Sequence, residues 1–158
     1  MPGTMRTMYL LRQAQLASYA RLEAALAGFG LTPTQYTALS LSDRPGEGGE
    51  ERAEGQAGSG PSSAELARRL GVTAQAMNEM IAALERKGLI RRREAAENRR
   101  ILRISLTAEG TALLARCDAV VDGVEQEFLG VLAGGELDAL RGTLVRLVRV
   151  AADPLPGG

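Results

Sequence analysis

Six arginines, Arg91, Arg92, Arg93, Arg99, Arg100 and Arg103, fall within 13 positions of the chain. Guanidinium groups packed this closely suit phosphate oxygens, which their planar fork can grip, and the negative potential of a narrow minor groove. Just upstream, Gln75 and Asn78 stand three residues apart, followed by Glu79. On a helix Gln75 and Asn78 share a face. Both carboxamides can bond adenine edges in the major groove, and a carboxylate can accept from cytosine. On spacing alone Gln75 and Asn78 also fit a plain solvated helix surface, and an arginine-rich surface from biased composition is the bland alternative for the cluster.

The rest of the composition narrows the chemistry. The chain has 158 residues, no histidine, no tryptophan and one cysteine, Cys117. Catalytic triads built on histidine and His-ligated metals are excluded. A single cysteine makes no internal disulfide, redox pair or thiolate cluster, so a reducing cytoplasm is the expected compartment. There is no phosphate-binding glycine loop and no metal-ligand cluster, so we expect no catalytic residues, no metal and no cofactor. No apolar run reaches the roughly 18 residues of a membrane span, and Met1 to Leu11 does not read as a signal peptide.

Lysine plus arginine and aspartate plus glutamate number 19 each, for a formal net charge of zero. That neutrality is uneven along the chain. Residues 62–105 carry ten basic and five acidic side chains, net +5, whereas 43–61 is net −3 and 106–158 is net −4. Arginine preference explains arginine over lysine but not this clustering.

Most of the chain reads as helix. Leu11, Leu16, Tyr19, Leu22 and Leu26 recur at helical spacing up to Gly28 and Gly30. Thr32-Pro33-Thr34-Gln35 and Ser62 with Glu65 are capping boxes that open two further helices. The second holds Leu66, Ala67 and Leu70 and stops at Gly71; after Val72, Thr73 caps a helix over about 74–87 with Met77, Met80, Ile81 and Leu84 inward. Two short helices joined by a tight glycine turn are a helix-turn-helix, whose second helix presents its N-terminal residues to base edges. Leu89 and Ile90 begin a strand. Leu102, Ile104 and Leu106, alternating with Arg103 and Ser105, predict a second, half-buried one. Thr107 opens a long helix to about Leu132, and a last helix spans Glu136 to Ala151. The glycine- and glutamate-rich stretch 43–61 and the tail 152–158 are expected to be flexible.

With these residues in place, the chain resembles the MarR (multiple-antibiotic-resistance regulator) winged helix-turn-helix family from about Leu10 to Ala151. The resemblance rests on Leu84-Glu85-Arg86-Lys87-Gly88-Leu89-Ile90, Asn98-Arg99-Arg100 and Leu106-Thr107-Ala108-Glu109-Gly110, with upstream support from 31–36 and 66–72. Three departures stand out. Asn98 replaces the usual wing aspartate, Glu79 falls where basic or small polar residues are common, and 43–61 lengthens a normally short connection.

The resemblance implies a mainly α fold: a winged helix-turn-helix over 31–106 with a two-stranded β-wing, and a helical dimerisation region from 4–30 and 107–151. It implies a homodimer with two recognition helices, and a twofold operator with half-sites about 34–36 Å apart or a multiple of that. The candidate DNA-contacting residues are Ser62, Thr73, Gln75, Asn78, Glu79, Arg86, Arg92, Arg99 and Arg100. Tyr9, Tyr19 and Tyr36, with Phe29, are candidates for a small aromatic or anionic effector, though aromatic core is the plainer role. Cys117 reads as a small buried hydrophobe. The expected partners are double-stranded DNA, a second copy of the chain and such an effector, with no membrane. The expected function is a dimeric, effector-released repressor; the alternative is a winged-helix protein-interaction module without base reading.

Overall fold

The computed structural model describes residues 5–44 and 60–152. Its elements, in chain order, are α1 (Thr7–Leu26) with a 3-10 turn over Ala27–Phe29, α2 (Pro33–Ser42), α3 (Ser63–Leu70), α4 (Ala74–Arg86), β1 (Ile90–Glu94), β2 (Leu102–Leu106), α5 (Ala108–Leu129) and α6 (Glu136–Ala152). Most of the stretch expected to be flexible, and the tail beyond Ala152, lie outside the described residues. The chain divides into two compact units, Met1–Val121 and Asp122–Gly158.

Local chemistry sets the helix ends of the first unit. Thr32 Oγ1 accepts from the Gln35 N–H at 3.1 Å, and the Gln35 side chain returns to the Thr32 N–H at 3.1 Å. Ser62 and Glu65 close the same box at the start of α3. Each box satisfies two backbone donors that the first helical turn leaves open. Gly71 ends α3 at φ +65°, a left-handed conformation that a Cβ would strain, and this turns the chain into α4. Thr73 Oγ1 then accepts from the Ala76 N–H at 3.1 Å.

The core of this unit runs through every layer: Leu26 and Leu39 from α1 and α2, Leu66 from α3, Met77, Ile81 and Leu84 from α4, Ile90 and Ile104 from the strands, and Leu114 and Cys117 from α5. Burying each large apolar side chain contributes about 1.5–3 kcal/mol. Together these contacts hold the helix-turn-helix against the wing. Thr107 joins wing to α5 by donating to the Gly88 carbonyl at 2.6 Å and accepting from the Gly110 N–H at 3.0 Å. Gly110 packs so tightly on the Leu89 backbone that a Cβ would overlap its carbonyl, which accounts for glycine at that step of the Leu-Thr-x-x-Gly sequence. Cys117 is fully buried; burial, and secondarily the Asp118 charge, push its thiol pKa up.

The strands pair antiparallel, with Ile90 opposite Leu106, Arg92 opposite Ile104 and Glu94 opposite Leu102. The expected alternation in β2 does not hold. Leu102 is 45% exposed and Arg103 only 7%. The cause lies outside the strand. The other edge of β2 is covered by Pro61 and Ser62: the Ile104 N–H donates to the Pro61 carbonyl at 2.9 Å, and Ser62 bridges to Arg103. Gly60 and Pro61, placed by composition at the end of the flexible stretch, are therefore buried parts of the wing's base.

The second unit has a different character. α5 stops at Leu129, three residues short of the expectation, where Gly130 and then Gly134 and Gly135 interrupt the helical run. Glu136 accepts from the Ala133 N–H at 2.7 Å and so anchors the start of α6. α6 buries no side chain, although Leu140, Leu144, Val145, Leu147, Val148 and Val150 all lie along it. No helix among the described residues is long and apolar enough to cross a membrane.

Candidate nucleic-acid interface

The first turns of α4 carry the exposed polar face of the helix-turn-helix. Met77, Ile81 and Leu84 turn inward, which leaves Gln75, Asn78 and Glu79 exposed on the opposite side. Their side chains are held by hydrogen bonds. Gln75 Nε2 donates to Glu79 Oε1 at 3.3 Å, and Ser63 Oγ, from the first turn of α3, donates to Asn78 Oδ1 at 2.6 Å. Thr73 is exposed, and its oxygen is engaged in the α4 cap. Ser62 is half-buried and likewise occupied, as the cap of α3. Arg86 is exposed in the last turn of α4.

Arg91 and Arg93 are exposed along β1, and the other four arginines of the wing fall into three groups. Arg99 and Arg100 are exposed in the turn between the strands, and neither joins an ion pair among the described residues. Asn98 shapes that turn by accepting from the Arg100 backbone N–H at 3.0 Å. Arg92 lies against α4, donating to Glu85 Oε2 through Nη2 at 2.6 Å and Nε at 3.1 Å. The Arg92 hydrogen bond holds the Glu85 carboxyl below the usual carboxylate range.

Arg103 forms the third group. Sequence clustering counts it with the reaching arginines, but the structure buries it between two carboxylates. Its Nη2 meets Glu97 Oε1 at 2.7 Å and its Nη1 meets Glu65 Oε2 at 3.1 Å. The Glu97 hydrogen bond is the main reason its pKa rises, and Glu97 is lowered in return. Glu65 thus serves twice, in the α3 capping box and in the ion pair, and ties the wing strand to the first helix of the motif. Glu97 supplies a wing-bracing carboxylate next to Asn98, where the usual aspartate is missing.

Sequence reading missed the contributions of Ser63, Glu85 and Glu97, and of Glu65 beyond its capping box. Glu97, beside the Asn98 turn, left a trace as an acidic residue in a basic run; Ser63 left none, because its partner is 15 positions away. The chain's one lysine also acts structurally. Lys87 Nζ donates to the Gly30 carbonyl at 2.7 Å and ties the end of α4 to the α1–α2 turn.

The three candidate tyrosines are not equivalent. Tyr9 and Tyr19 are exposed on α1. Tyr36 is half-buried and donates to Asp118 Oδ1 at 2.7 Å. Phe29 lies under the Arg116 guanidinium, 5.2 Å from the ring centroid.

Comparison with known proteins fits this architecture. The family model described as MarR family matches residues 52–101. The HTH-type transcriptional repressor Rv2887 of Mycobacterium tuberculosis is 34% identical over 140 residues, covering 88% of this chain and 91% of that protein. The crystal structure of Rv2887 in complex with p-aminosalicylic acid superposes with a TM-score of 0.67 at 32% identity, covering 90% of this chain and 98% of that one. The transcriptional repressor CouR, bound to a 23-mer DNA duplex, superposes with a TM-score of 0.73 at 29% identity, covering 90% of this chain and 92% of that one. With the helix-turn-helix, the arginine-tipped wing and these near full-length relatives in agreement, the chain belongs to the MarR family of winged helix-turn-helix transcriptional regulators.

Proposed function

We propose that this chain is a sequence-specific, double-stranded DNA-binding repressor that acts as a homodimer and is released by a small aromatic or anionic effector. The observation that carries the DNA reading is the ordered exposed face of α4, Gln75, Asn78 and Glu79, next to a wing whose tip presents Arg99 and Arg100. The recognition helix meets base edges in the major groove, and the wing arginines meet the backbone and the adjacent minor groove. Thr73, Arg86 and Arg92 flank this face and supply backbone contacts; Ser62 contributes by holding α3. CouR in its DNA complex supports the reading, since it has the same fold at 29% identity.

The dimer is supported by the apolar stripe of α6 and by Met8, Tyr9, Leu10, Leu16 and Tyr19 on α1, all exposed in the single chain. Exposed apolar faces of this kind, one on each unit, mark interaction surfaces. Under this reading 4–30 and 107–151 form the dimerisation region and 31–106 the DNA-binding domain. The effector reading is supported by Rv2887, whose structures hold p-aminosalicylic acid or salicylic acid. Of the three tyrosines proposed for the effector, Tyr36 is half-buried and has its hydroxyl fixed by Asp118.

The test is selection of bound sequences from a random duplex pool, followed by titration of the enriched duplex with and without salicylate-type acids. We expect a twofold motif, affinity that falls steeply with salt, and release by an aromatic acid. A pool with no enriched sequence would favour the protein-interaction alternative.

A further inference from the structure

The geometry points to Glu79 as a specificity residue that demands cytosine in each operator half-site, with Asn78 presenting only donors beside it. This inference rests on the DNA-binding reading above and deepens it by naming the base chemistry that α4 accepts.

Some of the polar atoms on this face are already used. Ser63 Oγ donates to Asn78 Oδ1 at 2.6 Å, so the carboxamide oxygen is held toward α3. The Nδ2 group, with its two N–H donors, is left for an outside partner. A bidentate grip on adenine needs both amide atoms, one accepting from N6 and one donating to N7. The Ser63 contact occupies one of that oxygen's two lone pairs and holds it toward α3, so the donors turned outward match groove acceptors instead: guanine O6 and N7, or thymine O4.

Glu79 supplies the complementary half. Its Oε1 accepts from Gln75 Nε2 at 3.3 Å, which orients the carboxylate along the exposed face and leaves Oε2 for another donor. Gln75, Asn78 and Glu79 occupy the first turns of α4, where a recognition helix meets base edges. An ionised carboxylate placed there must find a hydrogen-bond donor or lose affinity by desolvation and by repulsion from phosphates. The major groove offers two kinds of donor, cytosine N4 and adenine N6. Adenine sets the N7 acceptor beside its donor, and N7 repels a carboxylate. Cytosine has no acceptor in that groove. A guanine or thymine at the neighbouring position offers the acceptors that Asn78 seeks, so two adjacent base pairs satisfy the two side chains.

The experiment is sequence selection from one random duplex pool with the wild-type protein, Glu79→Gln, Glu79→Ala and Ser63→Ala, all at the same salt. The wild-type motif is expected to hold a cytosine in each half-site, worth roughly ten- to hundredfold in affinity over the other bases. Glu79→Gln should move that position from cytosine toward adenine, because glutamine offers both a donor and an acceptor. Glu79→Ala should flatten it while binding random duplex more tightly. Ser63→Ala should broaden only the neighbouring position, where a freed Asn78 can turn over and accept adenine. Glu79 is exposed, so its variants should keep the wild-type melting temperature; the motif is scored only with that control. A well-enriched motif whose base preferences are the same in wild type and both Glu79 variants would overturn the assignment. Absence of any enriched motif in the wild type would instead overturn the DNA-binding reading, and this inference with it.

Discussion

The helix-turn-helix and the last helix manage similar apolar content in opposite ways. α3 and α4 bury Leu66, Ala67, Met77, Ile81 and Leu84 against their own unit and, Glu65 apart, keep their polar residues outside. α6 carries Leu140, Leu144, Val145, Leu147, Val148 and Val150 and buries none of them. The first is a stripe that one chain can satisfy. The second is a broad face whose solvation is costly unless another surface covers it. The reading head completes its own core in the monomer, and under the dimer reading the C-terminal helix is the part left for assembly.

Charge on α6 should break this comparison with the largest effect. Leu144→Glu with Val148→Glu is expected to give a monomer by sedimentation equilibrium. Loss of the linked second half-site should then cost roughly a hundredfold or more in affinity for a two-half-site operator. The same double variant should bind a single half-site duplex about as well as the wild type. A dimer that survives both charges would place the interface elsewhere.

Within the reading head, the largest effect on folding stability should come from Arg103→Ala. It removes the buried Arg103–Glu65 pair, a loss of up to about 3–5 kcal/mol by the usual cost of breaking such a pair. Leu66→Ala should cost about 2–5 kcal/mol through its cavity. Denaturant midpoints measure both. If Arg103→Ala were as mild as Arg99→Ala, the brace between wing and α3 would carry no weight.

Arg100→Ala should leave stability alone and lower operator affinity, with the salt dependence falling by about one unit per subunit contact. Unchanged affinity at matched salt would remove the wing tip from the interface. The smallest effect expected is on pH dependence. Glu97 and Glu85 are held below the usual carboxylate range by Arg103 and Arg92. Their folded values lie under the unfolded one, so the stability they add is present above about pH 4.3 and is lost as pH falls through the lower folded values. Melting temperatures between about pH 7 and pH 3 should show it, and Glu97→Gln should flatten part of the acid limb.

Much of the architecture was legible in the residues because it is local. The Thr32–Gln35 and Ser62–Glu65 boxes act over three positions, and the Gly71 turn and the Met77-Ile81-Leu84 stripe are set by helical period. The order of helix-turn-helix, wing and long helix follows from such pieces, and so does the exposure of Gln75, Asn78 and Glu79. By itself the sequence determined which segments are helices, where they start and stop, and that its basic charge gathers in the reading head. Only the tertiary structure decided what each charge does there. Arg99, Arg92 and Arg103 are the same residue type a few positions apart, yet one is exposed, one is clasped to α4 and one is buried. The difference comes from Glu85, Glu65 and Glu97, and from the Pro61–Ser62 edge that closes over β2 and reverses the expected burial of Leu102 and Arg103. Those carboxylate partners lie 6 to 38 positions away in sequence, and no pattern of period 2 or 3.6 encodes a pairing that folding alone brings together.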